Sequence, residues 1–283
     1  FPPSLSLNNT LQISDPGVKN IMLIIGEKLN STIPAVRRAI EEKDVKYIQE
    51  LAVKQCEAGA DFIDVNTAMC DEVPDMEWMV RIIQEVVDVP LCIDSTNPAA
   101  IEKGLQVHKG KPMINSISME KYRLEGILPL IKEHDCSVVA LTTDDSGIPD
   151  TVEDRVRIAG ELIDILEKNN VDRSDIYVDP LVLPVAVKTD NAVKFFQSIE
   201  EIKQHYNVKI ISGLSNVSHS LPKRKVINKY FLTICMSKGM DAAIMDPLDG
   251  SIMTALLATN LLLNKDRICQ KYLTAYRNEL IQD

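Results

Sequence analysis

The sequence predicts an α/β fold, a single (β/α)8 barrel over residues 21–283. Eight short runs rich in Ile, Val and Leu alternate with longer segments whose apolar residues recur every three or four positions. The runs are apolar without clean alternation, as strands covered on both faces should be. The first run is followed by "GEKLNST", with neither a GxGxxG turn nor a phosphate loop, which argues against an open doubly wound sheet.

The expected strands, in order, are "IMLIIGE" (21–27), "FIDVN" (62–66), "PLCIDS" (90–95), "PMINSI" (112–117), "SVVALTT" (137–143), "IYVDPL" (176–181), "KIISG" (209–213) and "DAAIMD" (241–246). Amphipathic helices are expected between them, among them one long run over 35–60 and another over 151–170. No linker, repeat or charge block interrupts this pattern, so one domain is expected. The leading "FPPSLSLNNTLQISDPGVKN" (1–20) has no apolar period and reads as a flexible leader or expression remnant, with Met22 as a natural start.

With 283 residues, 45% of them apolar, the chain can bury a large core. A net charge of −10 repels a phosphate backbone, which argues against a nucleic-acid partner. No apolar run reaches the roughly 18 residues of a membrane span. Six cysteines form no CxxC pair and mostly sit inside apolar patterns. These features predict a reducing, cytoplasmic location, where the Asn-x-Ser/Thr matches at Asn30 and Asn216 are chance.

A barrel of this kind carries its chemistry at the C-terminal ends of the strands. Those ends read Glu27 and Asn30, Asp64 and Asn66, Asp94, Asn115, Asp144 and Asp145, Asp179, Asn216 and Asp246: acids and amides, with no basic residue among them. Any one of these is equally well an N-cap of the following helix, and Asp145 and Asp246 look most like turn or cap residues. Taken together, a ring of carboxylates and amides suits a neutral or weakly basic heterocycle rich in N–H donors. The competing reading is a hard cation held by Asp64, Asp94 and Asp179. Zinc is poorly served. The His134-x-Cys136 pair falls where a helix ends and the fifth strand begins, the wrong end of the barrel, and His219 is a loop residue near the mouth.

The segments "IIGEKLN", "DFIDVNT", "LCIDSTNPAAIEKGL", "KPMINSIS", "LTTDDSGIP", "IYVDPLVLPV" and "ISGLSNVS", in this order, resemble the methyltetrahydrofolate:corrinoid methyltransferases of the pterin-binding family. The folate domain of cobalamin-dependent methionine synthase is a more distant likeness. Dihydropteroate synthase shares the barrel, but its "NxTPDSF"-type first-strand segment and late "SxR" signature are absent, and "MDPLDG" stands near the eighth strand instead. The resemblance implies a reversible methyl transfer between 5-methyltetrahydrofolate and the cobalt of a corrinoid. The alternatives are a pterin-condensing enzyme or a pterin-binding protein without chemistry.

Carried over by position, the resemblance implies pterin contacts from Asp94, Asn115 and Asp179, with Asp64 and Asn66 at a further strand end facing the pocket. Gly213 and Ser215 fall in the loop after the seventh strand, Asn216 beside the reacting nitrogen, and Arg224 at the mouth. Asn216 and Asp179 are the implied catalytic residues. The donor is a tertiary amine and a poor leaving group, so its nitrogen must gain a proton or hydrogen bond in the transition state, and an amide can donate or accept. No metal bound by the chain is expected. The "DxHxxG" corrinoid signature is missing, so the corrinoid is expected on a partner protein that docks over the mouth. Stand-alone relatives imply a homodimer.

Overall fold

The computed structural model describes residues 22–282, so the leader expected over 1–20 lies outside the described residues. Eight strands form one parallel sheet: β1 (Leu23–Asn30), β2 (Phe62–Asn66), β3 (Leu91–Asp94), β4 (Met113–Met119), β5 (Ser137–Asp144), β6 (Ile176–Asp179), β7 (Lys209–Ile210) and β8 (Ala242–Met245). Each pairs with its sequence neighbour from β1 through β7, and β1 also pairs with β8. The ring closes between β7 and β8, where the Asp241 and Ile244 amides donate to the Ile210 and Ser212 carbonyls, each at 2.9 Å.

Helices cover the outside: α1 (Pro34–Glu41), α2 (Val45–Glu57), α3 (Glu72–Ile83), α4 (Pro98–Val107), α5 (Lys121–Glu133), α6 (Val152–Lys168), α7 (Asn191–Tyr206), α8 (Arg224–Lys238), α9 (Gly250–Leu262) and α10 (Gln270–Arg277). The barrel expected from the sequence is therefore present, with two local departures. The single helix expected over 35–60 is two. Lys43 takes a left-handed backbone (φ 55°), and the Asp44 carboxylate accepts from the Tyr47 amide at 3.0 Å, capping a fresh start. Regular pairing in β7 ends at Ile210 rather than Gly213. The following residues bond alternately to β6, through the Ile211 amide and Val178 carbonyl (2.9 Å), and to β8. A strand that closes a ring serves two neighbours this way.

Two apolar layers hold the fold. The larger lies between the sheet and the helices, with Ile63, Ile93, Ile114, Val138, Val178 and Ile210 pointing outward from the strands. The smaller plugs the barrel interior and contains Ile25, Cys92, Met113, Val139, Tyr177, Ile211, Ala242 and Ile244, with Leu23 and Phe62 packed against it. Side chains alternate along a strand. Two residues beyond the plug, the inward positions are Glu27, Asp94, Asn115, Leu141, Asp179, Gly213 and Asp246, and two beyond Phe62 is Asp64. Except at Leu141 on β5 and at Gly213, the interior thus changes from apolar to polar in one step, at the C-terminal end.

β1 departs from this regularity where it matters for the site. Its register with β2 shifts between Gly26 and Leu29, a bulge that presents both Glu27 and Lys28 to the cavity above. The Lys28 amide donates to Gln55 Oε1 at 3.0 Å, so a buried side chain from α2 holds the bulge. A Cβ on Gly26 would lie 2.5 Å from that oxygen. Glycine at 26 is what lets Gln55 reach the strand.

Candidate active site

A cavity of about 770 Å³ opens at the C-terminal end of the barrel. Glu27, Asp64, Asp94, Asn115, Asp179, Gly213, Ser215, Asn216 and Asp246 line it, drawn from seven segments of the chain. The structure thus brings most of the expected ring together. Its mouth is not free of basic residues, however: Lys28, Arg224 and Lys225 also line it. Lys28 Nζ is paired with Asp246 at 2.9 Å, which makes Asp246 an ion-pair partner as well as the turn residue that accepts from the Leu248 amide.

The floor is one hydrogen-bonded polar layer. Asn66 Nδ2 donates to Asp94 Oδ2 at 2.9 Å, and Asn115 Nδ2 approaches Asp64 Oδ1 at 3.4 Å. The register places Asn66 beside Asp94 and Asp94 beside Asn115, which is why neighbouring strands bring these groups into reach. Asp64 is 1% exposed. Burial first, and then the charge of Asp94, push it well above the carboxylate range. Burial raises Asp94 to about 6, held down by hydrogen bonds from Asn66 and Asp64. Of this coupled pair, Asp64 is the carboxyl pushed further toward its protonated form, hydrogen-bonded to Asp94.

Asn66 is committed elsewhere than the cavity. Its Oδ1 accepts from Ser31 Oγ and from the Ala68 amide, both at 3.1 Å, while its Nδ2 serves Asp94. Its place is behind Asp94, as a support, and it does not line the cavity. Asp144 and Asp145 also leave the ring. Asp144 accepts from the Ser146 amide (2.9 Å) and Asp145 from the Lys121 amide at the start of α5 (2.9 Å), so both are turn and cap groups.

Asp179 is buried, and that burial raises it to about 7 despite the Leu181 amide donating to it at 2.8 Å. Arg155, 1% exposed on α6, stands behind it. The Arg155 guanidinium donates to the carbonyls of Pro149 (3.3 Å) and Leu181 (3.2 Å), tying two mouth loops together while its charge faces Asp179. A helical Arg in an amphipathic pattern gives no sequence signal of this.

Asn216 answers differently from the cap residues. It is exposed to the cavity, and its amide makes no hydrogen bond among the described residues. The short 3-10 turn Leu214–Ser218 that carries it has no side-chain cap. Its placement comes from its neighbours. Arg224 donates to the Ser215 carbonyl at 2.7 Å and to Ser218 Oγ at 3.1 Å, so the expected mouth residue acts as a clamp on this turn. A Cβ on Gly213 would come within 3.2 Å of Asn216 Nδ2, so glycine there leaves the amide room to lie over the backbone.

Glu27, which the sequence reading places in the ring without a role, also faces this turn. Ser215 Oγ donates to Glu27 Oε2 at 3.2 Å. Burial raises Glu27 from its ordinary 4.5 to about 7, with Asp246 adding to the rise and Ser215, Lys28 and Arg224 opposing it. The i, i+2 step from Ile25 is the signal that points to it.

His219 lines the mouth. His134 and Cys136 lie before β5, at the opposite end of the barrel. Among the described residues no group of three His, Cys, Asp or Glu side chains is arranged to hold a metal ion.

Residues 26–246 match the pterin-binding enzyme family. The chain belongs to that family. It is 42% identical over 261 residues to the methylcorrinoid:tetrahydrofolate methyltransferase of Eubacterium limosum, covering 90% of this chain and 96% of the relative. It is 32% identical over 239 residues to the methionine synthase of Mycobacterium tuberculosis, but spans only 20% of that longer protein. Among solved structures, the dihydropteroate synthase of Xanthomonas albilineans superposes with a TM-score of 0.69 at 18% identity, covering 87% of this chain and 94% of the other. That of Vibrio fischeri gives 0.67 at 13%, covering 86% and 94%. At such identities these two report the shared barrel alone.

The acids of this pterin-binding barrel predict a pH-dependent stability. A carboxyl raised on folding, such as Glu27, stabilises the fold fully below its unfolded value. That contribution is lost as pH rises through the folded value near 7. Glu27→Gln keeps an acceptor for Ser215 and carries no charge. In thermal unfolding it should exceed the wild type at pH 8 by roughly 1–3 kcal/mol, and the gain should vanish near pH 4. A gain that persists undiminished in acid would show that burial of this charge is not its source.

Proposed function

We propose that this enzyme moves a methyl group between the amine nitrogen of tetrahydrofolate and the cobalt of a corrinoid, the corrinoid being presented by a separate protein over the barrel mouth. Kinship with the Eubacterium limosum relative along nearly its whole length supports the reaction. Within this molecule, one observation carries it. The cavity is divided between a floor of buried, networked acids and a single unengaged amide, Asn216, on the β7 side.

In this reading Asp94, Asn115 and Asp179 receive the hydrogen-bonding edge of the pterin. These groups have donors and acceptors already desolvated on β3, β4 and β6, so a matching heterocycle restores bonds that water otherwise makes poorly. Asp64 and Asn66 hold Asp94 and Asn115 in place from beneath. Gly213 and Ser215 shape the turn. Arg224 fixes it through two hydrogen bonds, and Asn216 meets the reacting nitrogen. Because Asn216 carries no charge, it can donate to the amine or accept from its protonated form, which serves both directions of transfer. The methyl and the cobalt meet at the open end of the cavity.

Two further elements belong to this proposal. Val226, Tyr230 and Ile234 form an exposed apolar stripe at four-residue spacing on α8, 53%, 64% and 41% exposed, which supports a homodimer. Sedimentation of the wild type and of Tyr230→Glu should separate dimer from monomer. Six cysteines, none in a disulfide, support a reducing, cytoplasmic location. No helix among the described residues is long and apolar enough to cross a membrane.

Two measurements test the pterin assignment. Asp94→Asn should weaken 5-methyltetrahydrofolate binding roughly ten- to a hundredfold in a calorimetric titration, the worth of about 1.5–3 kcal/mol for a bond to a charged group. An unchanged dissociation constant in the folded variant removes Asp94 from the pterin edge.

Asn216→Ala should slow single-turnover methyl transfer by about 10²–10³, the usual cost of one transition-state donor. The loss should be alike in both directions, since both cross the same barrier. Near-normal rates would reduce Asn216 to a bystander at the cavity wall.

A further inference from the structure

We propose that Glu27 is the proton carrier of the methyl transfer: it takes the proton released when the pterin amine is methylated and returns it when the methyl leaves. The inference deepens the methyl-transfer reading and rests on it. That reaction has a proton to place, and the groups proposed to bind the pterin edge leave it without an owner.

The placement argues first. The residues assigned to the pterin edge stand on β3, β4 and β6. Asn216 follows β7, and Glu27 ends the regular part of β1. Only β8 separates these two, with Ile244 bridged to Gly213 on one side and Met245 paired with Gly26 on the other. A heterocycle seated on β3–β6 therefore turns its reacting end toward Asn216 and Glu27. Ser215 joins the pair: its Oγ donates to Glu27 Oε2, and its next residue is Asn216. The carboxyl and the amide thus sit on one stretch of cavity wall.

The hydrogen bonds argue next. The other acids lining the cavity each have more partners than Glu27. Asp64 is enclosed between Asn115 and Asp94, and Asp94 accepts from Asn66. Asp179 accepts from the Leu181 and Gly213 amides and faces Arg155, and Asp249 accepts from Ser251 and pairs with Lys225. Asp246 holds Lys28. Glu27 has one partner, Ser215, among the described residues, and that bond uses one oxygen. The charged groups facing it are Asp64 from β2, Lys28 beside it, Asp246 after β8 and Arg224 from α8. The two cations are already bonded to Asp246 and to the 215–218 turn, so neither forms an ion pair with it. Such a carboxyl, half-buried and raised to about 7, can hold or release a proton at neutral pH.

The step balances. In transfer to the pterin, the amine lone pair forms the N–C bond to the methyl. The Co–C bond breaks with its electron pair left on cobalt, taking it from Co(III) to Co(I). The N–H proton of the resulting ammonium passes to the Glu27 carboxylate. In the reverse direction the carboxylic acid returns that proton, the Co(I) pair forms the Co–C bond, and the N–C pair stays on nitrogen. No outside oxidant or reductant enters.

The test is single-turnover transfer from free methylcob(III)alamin to tetrahydrofolate, from about pH 5.5 to about 8.5, with tetrahydrofolate affinity measured alongside. In the wild type the rate should rise with pH and level off above about 7 as Glu27 ionises. Glu27→Gln should bind tetrahydrofolate within about threefold of wild type, transfer roughly 10²-fold more slowly at neutral pH, and lose the rise. Glu27→Asp should restore part of the rate and keep a pH limb, and His219→Gln should leave the profile unchanged. A Glu27→Gln enzyme within about twofold of the wild-type rate, or one that keeps the limb, overturns the proposal. So does a limb that disappears with His219. A Gln variant that no longer binds tetrahydrofolate makes Glu27 a binding residue instead. A wild type inert toward both substrates sinks the methyl-transfer reading itself, whereas an active wild type with a normal Gln variant confines the failure to Glu27.

Discussion

The constraint on which this molecule turns is the burial of carboxylates above an apolar plug. Inside the barrel, Ile25, Cys92, Met113, Tyr177, Ile211 and Ile244 exclude water from below. One pleat higher on β1, β3, β4 and β6 and just past β8, the inward side chains are acids and one amide. Removing a carboxylate from water costs several kcal/mol unless it is bonded or neutralised. The barrel uses both remedies. Burial pushes Asp64 toward its protonated form beside Asp94, Asn66 and Asn115 complete the layer, and Asp179 takes a backbone amide with an Arg behind it. What remains exposed to the cavity is a set of groups whose bonding is only partly met.

The 213–218 turn depends on the same economy of partners. It carries no regular pairing, since the strand before it is shared between β6 and β8 to close the ring. Arg224 and Ser215 hold it by side-chain bonds, one to its own carbonyl and hydroxyl, the other to Glu27. Loop position therefore responds to β1, to α8 and to the closure of the sheet together. A rigid scaffold with its working residues on loops is the usual arrangement in such barrels. Here the Asn216 side-chain amide is left without a hydrogen bond among the described residues while the turn around it is tied down.

Local pattern made most of this legible. Apolar runs of four to eight residues placed the strands, because a strand buried on both faces must be apolar. Strand ends placed Asp64, Asp94, Asn115, Asp179 and Asn216 at one end of the molecule, because parallel strands all finish on the same side. The segment over 35–60 forms two helices where its period suggests one. Apolar period continues across Lys43 and Asp44, and only the left-handed residue and the new cap divide it. Asp144 and Asp145 carried the same strand-end signal as the site acids, and turn bonding took them out.

The sequence by itself determined the fold class, the end of the barrel that carries chemistry, and the kinds of group gathered there. Those follow from periodicity and from the fixed alternation of side chains along a strand. Tertiary structure decided which groups meet and which partners each one has. Whether Asn66 lines the cavity or props Asp94, whether Arg224 clamps a turn, and whether Glu27 faces solvent or the cavity depend on neighbours far apart in the chain. Ser215 lies 188 residues from Glu27 and Asp246 lies 218 from Lys28. Burial and partners set a group's proton affinity, and both are properties of the assembled barrel.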